Sequence, residues 1–203
     1  GRTLLRGPSG AFVVDGAFSR VVAEDDPEPR APGRTVRRLL LDARLHGVAD
    51  PRDPDWLGLA YAGTYLAATE RLLDGPVARA LCLGGGSYSV PRALLARGLA
   101  YRVEVVEIDP VVTRAAQARL GLSDDERLAV VHADARTYVR GASREPAIDL
   151  VYADAFGDVD VPWHLATVEH ARTVHARMPP QGVYFANCID VFEEGRFLAA
   201  YRA

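Results

Sequence analysis

The 203-residue chain contains no lysine; all 24 of its basic residues are arginine. A Schiff-base lysine, a P-loop lysine and the lysine of a kinase are therefore excluded together. Cysteine is nearly absent too: Cys82 and Cys188 stand alone, without CxxC spacing. That excludes a disulfide framework and a cysteine-rich zinc site, and a reducing, cytoplasmic setting is expected. No apolar run approaches the roughly 20 residues that cross a bilayer, and Gly1 to Leu4 lack the apolar core of a secretion signal. A soluble protein without membrane partners is expected. A formal charge of −3 and a pI near 6.0 give no electrostatic drive toward nucleic acid.

The remaining composition, 49% hydrophobic and 25% charged, suits one globular domain or one domain with a small appendage. A chain of this length buries roughly 70% of its unfolded surface and needs no staples. The first 75 residues differ from the rest. Ala11–Val14 and Phe18–Ala23 flank Asp15 and Gly16 as a hairpin would, and Glu24–Gly33 is acidic and then proline-rich, as in an exposed loop. A further strand is expected over Val36–Leu41. Helical spacing of Leu59, Ala62, Tyr65, Leu66 and Leu72 predicts a helix within Trp56–Leu73.

From Val77 onward, apolar runs alternate with amphipathic segments. Strands are expected at Ala78–Leu83, Arg102–Ile108, Leu128–His132, Ile148–Ala153 and Val183–Asn187. Pro91 with Gly98, and Pro110 with Gly121, punctuate two of the intervening helices, with Asp109 as an N-cap. Near-continuous apolar strands separated by helices imply a parallel sheet covered on both faces. The expected fold is α/β: a Rossmann-like, doubly wound, mostly parallel sheet over residues 76–203, preceded by a small β-rich region plus helix over residues 1–75.

In such a sheet, ligands bind beyond the carboxyl ends of the strands. The first strand is followed there by Gly84, Gly85, Gly86 and Ser87, a turn that lets backbone approach a ligand at a helix amino end. The second ends in Glu107, about 20 residues on, where a carboxylate accepts hydrogen bonds from ribose hydroxyls. Asp134 follows the third strand and Asp154 the fourth, with Asp158 and Asp160 in the next loop. Each of these acids is either a solvated loop or cap residue or part of one crevice; their recurrence at successive strand ends favours the crevice. A ring of carboxylates disfavours a diphosphate cofactor and favours a sulfonium nucleoside.

The segments Leu81–Gly86 (LCLGGG), Val105–Pro110 (VVEIDP), His132–Ala135 (HADA) and Asp149–Asp154 (DLVYAD) resemble the spermidine synthase (polyamine aminopropyltransferase) family. Leu40–His46 is similar to its substrate-side segment. Val161–Glu169 and Gly182–Asn187 are similar to divergent, spermidine-synthase-like members. The resemblance implies a fold of the class I S-adenosylmethionine-dependent transferase type. It further implies that Gly84, Gly85, Gly86 and Ser87 meet a donor, decarboxylated S-adenosylmethionine or S-adenosylmethionine, whose ribose Glu107 holds and whose adenine meets Asp134 and Ala135. Asp154 would face an attacking amine, and His46, Tyr61 and Asp158 would line the side of a small-molecule amine such as putrescine, with Asp160 beside Asp158.

The chain departs from the family pattern in four places. Ser87 replaces an aspartate that holds the donor's aminopropyl amine, and His46 replaces a glutamine. The Tyr-His-Glu element has no match near Trp56–Gly58, leaving Tyr61 or Tyr65 as an aromatic wall. The Ser-Ser/Thr-Asp-Pro run after the catalytic acid is Ala155–Asp158 here. Family members continue beyond the position of Ala203, so a shortened nucleoside-binding unit is expected; a missing sheet edge would favour a homodimer. His164, His170 and His175 are spaced by six and five, which does not put them on one helix face, and no metal is expected. Alkyl transfer from a sulfonium is thus the expected chemistry, aminopropyl transfer first and methyl transfer second; a non-catalytic binding or assembly module is the reading from another class.

Overall fold

A computed structural model describes residues 5–6, 10–27, 31–141, 147–157, 161–189 and 199. Asp158 and Asp160 fall outside these residues and so, apart from position 199, does Glu193–Tyr201, where the sequence predicts the start of a helix. The described chain builds two sheets. The first is an antiparallel meander of β1 (Leu5–Arg6), β2 (Phe12–Asp15), β3 (Arg20–Asp25), β4 (Arg37–Leu41) and β5 (Arg44–Ala49), in that spatial order. The expected hairpin is there, but Gly16–Ser19 form its turn, closed by the Gly16 amide on the Ser19 carbonyl at 2.8 Å. Phe18, expected in a strand, therefore sits at the tip, 61% exposed.

Helix α1 (Ala60–Leu72) leads into the second sheet. It lies inside the expected Trp56–Leu73; ahead of it Trp56 packs back on Gly58, where a β-carbon would meet the indole at 2.4 Å. Then follow β6 (Val77–Leu83), α2 (Ser89–Ala96), β7 (Ala100–Glu107), α3 (Pro110–Ala115), β8 (Leu128–His132), α4 (Ala135–Gly141), β9 (Leu150–Ala153), α5 (Val168–His175) and β10 (Val183–Ala186). The strands order as β10-β9-β6-β7-β8, every pair parallel. This is the Rossmann-like sheet read from the sequence, and its strands bury on both faces as near-continuous apolar runs should; Leu81, Leu83, Val105, Leu150 and Val151 are almost without solvent contact. Asp109 caps α3 through the Val111 amide at 2.8 Å, and α3 widens into a π-helical turn over Ala116–Leu120 before Gly121 stops it at φ +80°.

The two sheets share one apolar core. Polar ties reinforce the junction: the buried Arg92 guanidinium donates to the Leu120 and Asp50 carbonyls at 2.9 and 3.1 Å, and Arg119 pairs with Asp25 at 2.9 Å. Since β6 has β7 on one side and β9 on the other, the chain's direction of winding reverses between β6 and β9, and a crevice opens at their carboxyl ends. The hairpin tips of the antiparallel sheet face that crevice.

Candidate active site

The crevice is a cavity of about 1110 Å³ lined by Gly84, Gly85, Gly86, Ser87, Glu107, Asp134, Ala135 and Asp154 from the parallel sheet and by His46 and Tyr61 from the first 75 residues. Every candidate site residue among the described residues is thus brought to one cavity. Asp158 lies outside the described residues.

The glycine turn has distinct steric reasons at two positions. Gly84 adopts φ +101°, and a β-carbon there would stand 2.5 Å from the Asp154 carbonyl oxygen; it is the point where the ends of β6 and β9 touch. At Gly85 a β-carbon would run into the Tyr88 ring at 2.7 Å. Tyr88 itself is left-handed at φ 58° and fully buried, its hydroxyl 2.7 Å from Thr113 Oγ1. Ser87 lines the cavity, yet its hydroxyl is engaged with Ser89 Oγ at 2.8 Å, and Ser89 donates to the Val48 carbonyl of β5 at 2.8 Å.

Glu107 ends β7 and is 7% exposed. Its Oε2 accepts from the Gly85 amide at 2.9 Å and its Oε1 from the Asp109 amide at 2.9 Å, so it fastens the glycine turn to the start of α3. Burial nevertheless raises its pKa above the ordinary carboxylate value, against the opposing pull of those amide bonds. At Asp134, burial alone would raise the pKa, but the Thr137 amide on Oδ1 at 2.8 Å and His164 Nε2 at 2.9 Å from Oδ2 outweigh it and hold the carboxyl below its ordinary value.

Asp154, just past β9, is gripped from both sides. Tyr61 of α1 donates its hydroxyl to Oδ2 at 3.0 Å and Asn187, just past β10, donates to Oδ1 at 2.8 Å. Removal from water raises the Asp154 pKa, while the Asn187 and Tyr61 bonds act in the opposite sense. The Tyr61 phenol is pushed far above its usual value by burial and by the neighbouring Asp154 charge. Tyr61 meets Tyr65 edge-on, ring centroids 5.8 Å apart, and Tyr65 continues into Tyr152 and Phe185, so the wall behind Asp154 is aromatic. Such a carboxylate can orient a nucleophile and take its proton.

His164 and Asn187, which also line this cavity, have no site role in the sequence reading. His164 entered only as a potential metal ligand, and Asn187 only as part of a similar segment. His164 sits on the short turn Trp163–Leu165, and its link to Asp134 spans 30 positions, which no local pattern announces. Among the described residues, no group of three or more metal-ligating side chains forms, and no helix is long and apolar enough to cross a membrane.

No family model matches the sequence. Over 110 residues, 54% of this chain, it is 33% identical to a polyamine aminopropyltransferase of Vibrio vulnificus, the match spanning 37% of that protein. Over 95 residues it is 37% identical to polyamine aminopropyltransferase 1 of Streptomyces coelicolor, spanning 17% of it. The chain therefore matches well under half the length of these curated relatives. In structure it superposes on a probable spermidine synthase from Corynebacterium glutamicum with a TM-score of 0.81 at 22% identity, covering 94% of this chain and 68% of that one. A spermidine synthase in complex with the transition state analogue AdoDATO gives 0.72 at 22% identity, covering 94% and 62%. Human methyltransferase-like protein 13 in complex with SAH gives 0.56 at 23% identity, covering 70% and 71%.

The fold is the Rossmann-like one that these spermidine synthases and the methyltransferase-like protein share, with an antiparallel sheet added in front. The chain is similar to polyamine aminopropyltransferases in sequence over about half its length, and to a probable spermidine synthase in fold over 94% of it.

Proposed function

We propose that the protein transfers an aminopropyl group from decarboxylated S-adenosylmethionine to a small amine such as putrescine. The observation that carries this reading is the convergence of the glycine turn, Glu107, Asp134 and Asp154 on a single cavity. In it, residues 76–203 form the nucleoside-binding unit and residues 1–75 supply the wall on the acceptor side, with His46 and Tyr61. Glu107 holds the ribose, and Asp134 with Ala135 meets the base. Asp158, four positions after Asp154 in the sequence, is proposed to hold the far ammonium of a diamine.

The donor supplies a carbon bonded to a positively charged sulfur, and in-line displacement at that carbon requires alignment above all. Carboxylates around the cavity suit that positive charge and would repel a diphosphate. The incoming alkyl ammonium, with a pKa of about 10, has to shed a proton before it can attack. In this reading Asp154 accepts it; the hydrogen bonds from Tyr61 and Asn187 fix both carboxylate oxygens, and partial burial makes the carboxylate a stronger base than a solvated one.

A second reading is methyl transfer from intact S-adenosylmethionine on the same scaffold. Ser87 favours it: the hydroxyl there is engaged with Ser89, and no carboxylate at position 87 repels the carboxylate of the intact donor or grips the amine of the decarboxylated one. Calorimetric titration with the two donors, followed by product analysis with putrescine, separates the readings. Tighter binding of the decarboxylated donor and aminopropyl transfer are expected; a clear preference for intact S-adenosylmethionine rejects polyamine synthesis. Absence of turnover with either donor over a panel of diamines leaves a binding or assembly module.

A further inference from the structure

The bond between His164 and Asp134, both lining the cavity, has no part in the functional reading. Asp134 opens α4, and its Oδ1 is taken by the Thr137 amide at 2.8 Å, the capping bond of that helix. Its Oδ2 lies 2.9 Å from His164 Nε2, with both side chains about 30% exposed and both lining the cavity. Facing a carboxylate at that distance, Nε2 carries the hydrogen and donates.

His164 is in turn fixed from behind. Arg136, in the first turn of α4, donates through Nη1 to the His164 backbone carbonyl and to Thr167 Oγ1, and Thr167 caps α5 by accepting from the His170 amide at 3.2 Å. The turn carrying His164 is thus stapled to the helix that Asp134 begins, and the imidazole meets the carboxylate with little freedom to leave it.

We propose that His164 is a positioning residue for base recognition: it holds Asp134 with an acceptor turned toward the base, and so makes the site prefer a purine with an exocyclic amine over one with a carbonyl at the same position. The inference rests on the nucleoside reading given above. An ionised carboxylate only accepts hydrogen bonds, and its two oxygens offer about four lone-pair sites. With sites given to Thr137, through its amide and its hydroxyl, and one on Oδ2 given to His164, the acceptor capacity that is left keeps a fixed direction. An exocyclic amine donates into it; a carbonyl brings a second acceptor against a negative charge and leaves the carboxylate without a donor there, which sets the two analogues apart. A histidine serving only to brace the turn would affect both bases alike.

The test is calorimetric titration of the full chain with S-adenosylhomocysteine and with its 6-oxo counterpart, S-inosylhomocysteine. The parent protein is expected to favour the amino compound by at least about tenfold, the scale of a hydrogen bond to a charged group. His164→Leu should bring the two affinities within about threefold by weakening the amino compound alone, and His164→Gln, whose amide can still donate to Asp134, should restore the preference. If the leucine variant does not fold, His164→Asn, polar but too short to reach, takes its place under the same criteria. A variant that keeps the full preference, or weakens both compounds equally, overturns the inference while leaving the nucleoside reading intact. A parent protein that binds neither of these compounds nor decarboxylated S-adenosylmethionine removes both.

Discussion

The backbone oxygen of Asp154 occupies the place where Gly84 would carry a side chain, 2.5 Å from an ideal β-carbon. The strand that presents the proposed base and the strand that opens the glycine turn are in contact there, and the turn holds φ +101°, a conformation rarely adopted by residues with side chains. Gly84→Ala is therefore expected to combine a backbone penalty of about 1–3 kcal/mol with displacement of Asp154. Thermal unfolding should fall by several degrees, and transfer should fall further than nucleoside affinity. An unchanged melting temperature would show that the two strand ends separate freely.

Asp154→Asn should leave nucleoside binding in place and reduce transfer at least ~100-fold, the usual scale for loss of a proton acceptor. Stability is expected to move the other way. The pKa of Asp154 is raised in the fold above its ordinary 3.8, so the folded state holds this proton more tightly than the unfolded chain does. The energetic burden of the ionised carboxylate is then present at neutral pH and disappears below the unfolded value. The asparagine variant should melt higher than the parent near pH 7, with the gap closing as pH falls toward 3.8. Melting curves across that range check the sign.

Tyr61→Phe removes one of the two bonds that favour the Asp154 anion. The acid limb of the kcat/KM profile, which reports the base in the free enzyme, should shift to higher pH. A profile that keeps its acid limb while the rate drops would assign Tyr61 to substrate contact alone.

Glu107→Gln exchanges a carboxylate that accepts from two amides for an amide with a single acceptor oxygen. One of the Gly85 and Asp109 amides then loses its partner. Nucleoside affinity should fall by at least about tenfold and the melting temperature should drop, since a buried donor without an acceptor costs roughly 1–3 kcal/mol. Titration with S-adenosylhomocysteine measures the first effect and calorimetric unfolding the second.

The parallel sheet was legible in the sequence because its strands are buried on both faces; Leu81–Leu83 and Leu150–Tyr152 read as unbroken apolar runs, and the strand ends fell within two residues of their expected places. Strand β5 was not read. Its burial does not alternate, being exposed at Arg44 and Leu45 and buried from Gly47 to Ala49, and the turn before it is made by Asp42 and Ala43 at φ 47° and 69° without the usual glycine. The acids of the cavity were legible one by one, as polar residues at strand ends. Their partners were not, because the Tyr61–Asp154 bond joins positions 93 apart and exists only once α1 has packed against the sheet.

Gly47 of β5 stands directly over Ser87: a β-carbon at Gly47 would come within 2.3 Å of the serine oxygen and 2.5 Å of its β-carbon. Positions 47 and 87 are accordingly not free to evolve separately. A lineage that enlarges either one must first vacate the other, so among descendants of this chain the size of the residue ahead of Tyr88 should covary inversely with the residue forty positions upstream, and any route to a different donor through position 87 passes through a glycine in the opposite sheet.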